Sequence, residues 1–440
     1  MGYLYTDGPS NYDEPDAYYS EGCNPRLLDK FLKYIDDRAD SISSIKLVLY
    51  LFNNLYLLER LEDYARRGID VTVTSIPLDG YQDKSPAQIV SYKTGNTVSE
   101  EETKRSLAND VYEKAEEYSR NCDKFRLLVF PHMFIRSKSI KPFVRGQSPL
   151  LYSLHAKLAL IEYKDGTGAA VLTSSNFCVR DEVKDNLLTI IDDQSVVAVA
   201  RKFFSDFEDC SIDEREFDES RGYRDYLTYY PAMRKAPGRK GALVFQAPFY
   251  ADSPHYARNR ICDLLDNASD RILICAQHVS AYQYKEGGKT VDGILKSALD
   301  AANRGVKTSF LSQTYGGKTD QRNRRPRNSS AFKAFADELN NVQNGTVSYF
   351  VNPRVHSKFL VIDDTAIITT CNLTPAQFIF LPKYTIKKGE DKNWPDLEYR
   401  GAFAEVGAWY FNQNQRLCEK LEHVFYQAAN DDEASQVMGK

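Results

Sequence analysis

At 440 residues the chain is longer than one ordinary core supports, so two domains or two halves are expected. With 42% hydrophobic and 27% charged residues and a formal net charge of -4, it is not a polycation, and any nucleic-acid contact must come from local basic patches. No apolar run approaches the roughly 20 residues that span a bilayer, and the eight cysteines show no CxxC spacing. An acidic, tyrosine-rich N-terminus without a basic-then-apolar signal points to a cytoplasmic protein with reduced thiols.

Residues 1–23 read as an N-terminal segment. Asn24-Pro25 then opens a helix that runs to about Ala39, with proline at the first helical position. A strand over 45–51 and a helix ending Ala65-Arg66-Arg67-Gly68 lead to a strand over 69–74. An insertion over about 80–150 follows, with a polar helix near 99–120 and a loop after Pro131. Next comes His155-Ala156-Lys157, four apolar residues, Glu162 and a hairpin turn at Asp165-Gly166. Thr173-Ser174-Ser175-Asn176 closes this stretch, and a strand over 187–191 precedes a helix over 196–207. Residues 209–241, acidic first and then basic, read as a linker between halves at 24–208 and 242–430.

The second half repeats the order. A helix over 256–268 leads to a strand over 271–276, and a helix over 291–303 ends at Arg304-Gly305 before a strand over 306–311. His356-Ser357-Lys358 precedes four apolar residues and Asp363, then Thr369-Thr370-Cys371-Asn372. A strand over 399–403 and a helix over 410–426 follow, leaving 431–440 as a tail. Strand–helix–strand alternation predicts an α/β protein with two related halves, each a mostly parallel sheet covered by helices. The interval from Gly68 to His155 exceeds that from Gly305 to His356 by 36 residues, so the halves are unequal.

His-x-Lys on a strand puts both side chains on one face, because the strand period is two. The apolar run after each copy is that of a strand buried on both faces. Two such sets suit attack on a phosphodiester. Lys157 and Lys358 can neutralise the phosphate charge, and Asn176 and Asn372 add amide donors. One neutral imidazole attacks phosphorus, the other gives a proton to the leaving oxygen, and water then releases the product. The lysines supply the positive charge, so the expectation is no metal and no cofactor.

The paired H-x-K-x4-D pattern with a downstream asparagine resembles the phospholipase D superfamily, over most of residues 24–430. The resemblance implies one site between two halves, with His155 as nucleophile and His356 as general acid. The residues themselves leave the two histidines interchangeable. Glu162 stands where the family has aspartate. The expected supporting residues are Glu162, Ser174, Asp363, Thr370 and Glu398, the last as a histidine-orienting acid. The first half offers only Asp185 or Asn186 in that place.

Two basic stretches precede the H-x-K strands, one with Arg136 and Lys138, the other with Arg322, Arg324, Arg325 and Arg327. Both are expected to bind substrate, as phosphate backbone and stacked bases suit such residues. The reading is therefore a metal-independent nuclease with nucleic acid as partner and no integral membrane association. A phospholipase or phosphatidyltransferase is the runner-up, and an inactive phosphate-binding module the third. A monomer suffices for one site, and dimerisation is neither required nor excluded.

Overall fold

The computed structural model describes residues 2–6, 26–75 except 51 and 53, 89–90, 97–98, 111, 114–130, 153–177, 184–216, 234–286 except 239, 240, 248, 251 and 252, 288–315, 319–320, 325–326, 330–342, 347–386 except 379, 397–403 and 405–439. Two large sheets repeat one design. The first contains β1 (Gly2–Thr6), β2 (Ile42–Leu49), β3 (Asp70–Ser75), β4 (Phe125–Val129), β5 (Lys157–Tyr163), β6 (Gly168–Thr173), β7 (Leu187–Ile191) and β8 (Ile212–Asp213). The second contains β9 (Leu243–Gln246), β10 (Arg271–Ala276), β11 (Lys307–Ser312), β12 (Val347–Val351), β13 (Phe359–Ile362), β14 (Thr365–Thr369), β15 (Glu405–Gln413) and β16 (Ser435–Gly439).

The spatial order is β1-β7-β6-β5-β2-β3-β4-β8 in one sheet and β9-β15-β14-β13-β10-β11-β12-β16 in the other. Each strand thus has its counterpart eight places later. Parallel pairing runs through β2, β3 and β4, and again through β10, β11 and β12. Antiparallel strands extend each sheet on both sides.

Helices α1 (Arg26–Asp36) and α2 (Leu55–Arg66) belong to the first half and α3 (Gln194–Glu208) follows β7. Their counterparts are α4 (Ser253–Asp266), α5 (Ile294–Asn303) and α7 (Gln415–Ala429); α6 (Ser330–Asn341) precedes β12. Gly68 and Gly305 take φ of +92° and +103°, the left-handed conformation that stops α2 and α5 before the next strand.

Three cores result. Phe31, Leu58, Leu61 and Val73 pack on the outer face of the first sheet, and Ile261, Leu295, Ala298 and Phe335 on that of the second. The third lies between the sheets, where Phe203 and Phe207 of α3 meet Phe245 and Phe249 of the second half and Leu421 and Phe425 of α7. Strands β5 and β13 alternate between an outer core and this shared one, with Leu158 and Leu160 inward, Ala159 and Ile161 outward. That is the two-sided burial their apolar runs predict.

Four segments differ from the sequence expectation. The N-terminal segment and the tail contribute the edge strands β1 and β16, paired to β7 and β12. The stretch read as a linker contributes β8, paired to β4. The strand expected over 399–403 lies within Leu397–Phe403, which pairs with Phe380–Ile386 in a separate two-stranded sheet. Its expected place, beside β14, is taken by β15. Tyr410, expected in a helix, therefore lies in β15, whose Trp409-Tyr410-Phe411 run favours strand. The following helix starts where Asn414 caps it through the Leu417 amide.

The halves are held as one body by aromatic stacking across the shared core. The rings of Phe203 and Phe245 are 3.9 Å apart and nearly parallel, and both residues are buried. Phe203→Ala is expected to cost about 3–5 kcal/mol. It should move both halves together to a lower denaturant midpoint, read by urea unfolding with two probes.

Candidate active site

The two H-x-K sets stand at matching ends of β5 and β13. Lys157 and Lys358 are fully buried, and each ammonium donates back to the carbonyl of its own histidine, at 3.1 Å from His155 and 2.5 Å from His356. That bond bends each lysine toward its histidine and gives each pair one shape. Asn176 and Asn372 are buried just past the ends of β6 and β14, the neighbouring strands. Thr369 at the end of β14 donates its amide to the Lys358 carbonyl at 3.1 Å, which ties the asparagine loop to the lysine strand. The Asn372 Oδ1 is buried with no hydrogen-bond partner among the described residues, open to a bound ligand.

Each histidine is oriented by the opposite half. His155 Nδ1 lies 3.1 Å from the Thr370 carbonyl, and His356 Nδ1 lies 2.7 Å from the Asn186 Oδ1. The Asn186 amide nitrogen donates to the Lys184 carbonyl at 3.1 Å, and Ser174 Oγ donates to its oxygen at 3.0 Å. These contacts assign the amide's orientation, so its oxygen faces the imidazole and accepts. A carbonyl and an amide oxygen can only accept. Both neutral rings are thereby Nδ1–H tautomers, which carry the lone pair on Nε2.

The chain segment around Asp185 completes the link. Its carbonyl accepts from the amides of His356 and Ser357 and from Ser357 Oγ, at 3.0, 2.7 and 2.9 Å. Its carboxylate accepts from Arg354 at 3.1 Å. The counterpart on the other side pairs Val406 with Leu154, just before His155.

Burial holds His356 well below the ordinary histidine value of 6.5; the charges of Lys358, Lys184 and Lys157, and then His155, act in the same direction. Those charges come from both halves, so the two sequence copies share one electrostatic site. Tyr50 adds an aromatic wall, with its ring 5.9 Å from that of His155 and 5.7 Å from the Lys157 ammonium.

The supporting residues divide. Ser174 and Thr370 belong to the site: each hydroxyl accepts a strand amide, from Leu187 and Ala408, and Ser174 also holds Asn186. Glu162 and Asp363 lie at the far end of their strands, about 17 Å from the lysines at about 3.3 Å per residue. Glu162 accepts from Arg201 and Ser44, and Asp363 from the amides of Ser269, Asp270 and Arg271. They brace the base of each half. Glu398 lies on Leu397–Phe403, outside both large sheets, and the residue that matches Asn186 is Gly407. Arg136, Lys138, Arg322, Arg324 and Arg327 lie outside the described residues; Arg325 is described only as pairing with Asp320. The sequence reading missed Lys184, Tyr50 and Gly407, which belong to no repeated motif.

A family of PLD-like domains, described as "Cardiolipin synthase, PLD-like domain", matches residues 261–380. Over those residues the chain is similar to the PLD-like domains of the phospholipase D superfamily. The phosphodiesterase and phosphotransferase chemistry of that superfamily fits the paired histidines, lysines and asparagines. No protein of curated function matches the sequence. Among solved structures, the chain is similar to phosphatidylserine synthase from Haemophilus influenzae Rd KW20, with a TM-score of 0.55 and 12% identity, over 94% of this chain and 86% of that one. It is also similar to polyphosphate kinase from Porphyromonas gingivalis, with a TM-score of 0.54 and 11% identity, over all of this chain. The chain spans about half the length of that kinase, 48%. At such identities the likeness shows the fold.

Two outcomes follow from the site's packing. A Cβ on Gly407 would overlap Cys371 Sγ, so Gly407→Ala should lower the melting temperature, and Cys371→Ala in the same chain should restore most of the loss. Unfolded, the His356 imidazole takes a proton at about its ordinary 6.5; folded, burial withholds it. Stability is therefore full above that value and falls as pH drops through it toward the lower folded value. Urea unfolding between about pH 7 and pH 5 should show the native chain losing more stability than His356→Asn, spanning the ordinary histidine range.

Proposed function

We propose that this protein is a metal-independent phosphodiesterase that cleaves DNA or RNA through a phosphohistidine. The observation that carries the chemistry is the pair of histidines, each fixed at Nδ1 by the other half, with lysine charges from both halves acting on one of them. His356, buried and kept neutral, is the better nucleophile, which reverses the roles that the family resemblance implies. Its Nε2 attacks phosphorus, the P–N bond forms and the P–O bond to the leaving group breaks. Protonated His155 gives its proton to the leaving oxygen. Neutral His155 then takes a proton from water, which attacks phosphorus and breaks the P–N bond. Lys157, Lys358 and the two asparagines offset the charge that builds on the non-bridging oxygens.

The choice of nucleic acid rests on the basic stretches. The one with Arg136 and Lys138 runs between β4 and the strand that leads into His155. The one with Arg322, Arg324, Arg325 and Arg327 follows β11, where Gln313 donates to the Gln277 carbonyl at 3.2 Å. Next to Gln277, the His278 carbonyl accepts from Leu373, adjacent to Asn372. In sequence, each stretch therefore follows a strand, β4 or β11, whose C-terminal end lies at the site's end of its sheet. A phosphatidyltransferase is the second reading, favoured by the description of the matching family and by the similar phosphatidylserine synthase. Against it, no helix among the described residues is long and apolar enough to cross a membrane, although a transferase needs only to touch one.

Labelled DNA, RNA and phosphatidylcholine, each with chelator, decide between these readings. Nucleic-acid cleavage that survives chelator and is lost in His155→Asn and His356→Asn is expected. Turnover of lipid alone would sink the nuclease reading, and turnover of nothing would leave a phosphate-binding module. An aryl phosphodiester, whose leaving group needs no proton, should still label His155→Asn covalently and leave His356→Asn unlabelled.

A further inference from the structure

A site shared by two like halves would accept a phosphodiester in either direction unless something beside the histidines tells its two ends apart. The strand ends at the site supply such a difference. Val48 of β2 pairs with Leu158, the residue after Lys157, and Cys275 of β10 pairs with Phe359, the residue after Lys358. Two residues further on, Tyr50 of the first half therefore matches Gln277 of the second. One is a flat aromatic ring, the other an amide that donates to Gln313 Oε1 at 3.1 Å. Gln313 in turn donates its Nε2 to the Pro353 carbonyl at 2.8 Å, on the segment that leads into His356.

We propose that Tyr50 is a specificity-determining residue that seats a flat aromatic ring carried by the leaving group, and so sets the direction in which the phosphodiester binds. The proposal rests on the phosphohistidine reading, with His155 as the proton donor. On that reading the attacking nitrogen and the leaving oxygen lie in line across phosphorus, so the leaving oxygen stands next to His155. The Tyr50 ring is 5.9 Å from that imidazole and tilted 49° to it. Whatever hangs from the leaving oxygen is thereby brought to Tyr50. On a nucleic acid that group is a nucleoside, and any base can stack on an aromatic face. In the half that carries His356 the matching place holds an amide, which suits hydrogen-bonding groups rather than a flat ring.

The ring is placed for that role. Val48 belongs to the core between the sheets, and Tyr50, two residues on, packs against the same core while staying partly exposed. The Lys157 ammonium stands 5.7 Å from the ring centre, within the range at which a cation meets an aromatic face. The group that holds the phosphate charge and the group that donates the proton thus border one ring. Tyr50 touches no reacting atom in this scheme. Its contact is equal in the ground state and the transition state, so its loss raises KM more than it lowers kcat.

Thymidine methyl phosphate, esterified at either sugar hydroxyl, tests the proposal on the full chain, because one molecule offers two alkoxide leaving groups of like basicity. To release thymidine, its P–O bond breaks and its oxygen takes the His155 proton. The methoxy-phosphoryl group then stays on His356 until water frees methyl phosphate. Release of methanol needs the reverse seating and leaves thymidine phosphate. The native chain should release thymidine in excess. Tyr50→Leu, which keeps bulk without a flat ring, should move the product ratio toward methanol by about 5- to 150-fold, the worth of one stacked base. Tyr50→Phe should keep the native ratio. An even native split, or one that favours methanol, would overturn the proposal. So would a ratio unmoved in a folded Tyr50→Leu, where both products fall alike because the ring only supports His155. If that variant fails to fold, the native split decides. DNA or RNA cleaved with an even split leaves the nuclease reading standing without this seat. The expected split with no DNA or RNA cleaved leaves the seat and removes the nuclease reading. If nothing is turned over, a fluorescent purine nucleotide decides: quenching by the native chain and Tyr50→Phe but not by Tyr50→Leu supports the seat, and no quenching overturns it.

Discussion

The structure depends on one arrangement: the Nδ1 of each histidine meets an acceptor from the opposite half. The carbonyl of Asp185 accepts from the backbone amides of His356 and Ser357, and the adjacent Asn186 takes the imidazole. On the other side Thr370 takes His155. Backbone and side chain thus arrive together, and any shift between the halves would move both histidines off their acceptors. This makes the shared core between the sheets part of the catalytic apparatus. Phe203 and Phe245 touch no reacting group, yet they set the distance on which the two Nδ1 contacts depend.

Electrostatics follows from the same interlock. Lys157 and Lys358 are fully buried, and buried ammonium groups are costly without acceptors. Each finds one in the carbonyl two residues earlier, on its own strand. The site is left with several positive groups and one neutral, buried imidazole. That is a poor home for a cation and a good one for a phosphate anion, whose arrival would relieve the repulsion among the lysines.

Much of this was legible in the sequence because it is repeated. Two copies of H-x-K with two-sided apolar runs gave the strands β5 and β13 and the six core side chains, and helix-ending glycines located α2 and α5. What repetition does not mark was harder to read. Asn186 was offered with Asp185 for the orienting place in the first half, whereas Gly407, in the matching place of the second, was missed because the two share no chemistry and no pattern links them. The strand over 399–403 was misplaced because its aromatic residues look like those of β15, and only sheet pairing separates them. Helix α6 was passed over, although Phe332, Phe335 and Leu339 form an apolar stripe that packs into the outer core. The supporting acids were taken for site residues, whereas five residues of strand carry Glu162 and Asp363 to the opposite end.

Two like halves facing each other across a pseudo-twofold axis reproduce, in one polypeptide, the geometry of a symmetric dimer. In a dimer the composite pocket would dissolve on dilution, and every substitution would appear twice. Joined in one chain, the halves meet at an effective concentration that dilution does not change. Each can also accept substitutions the other does not share. An amide on one side and a glycine on the other is an arrangement that a symmetric pair of identical subunits could never adopt.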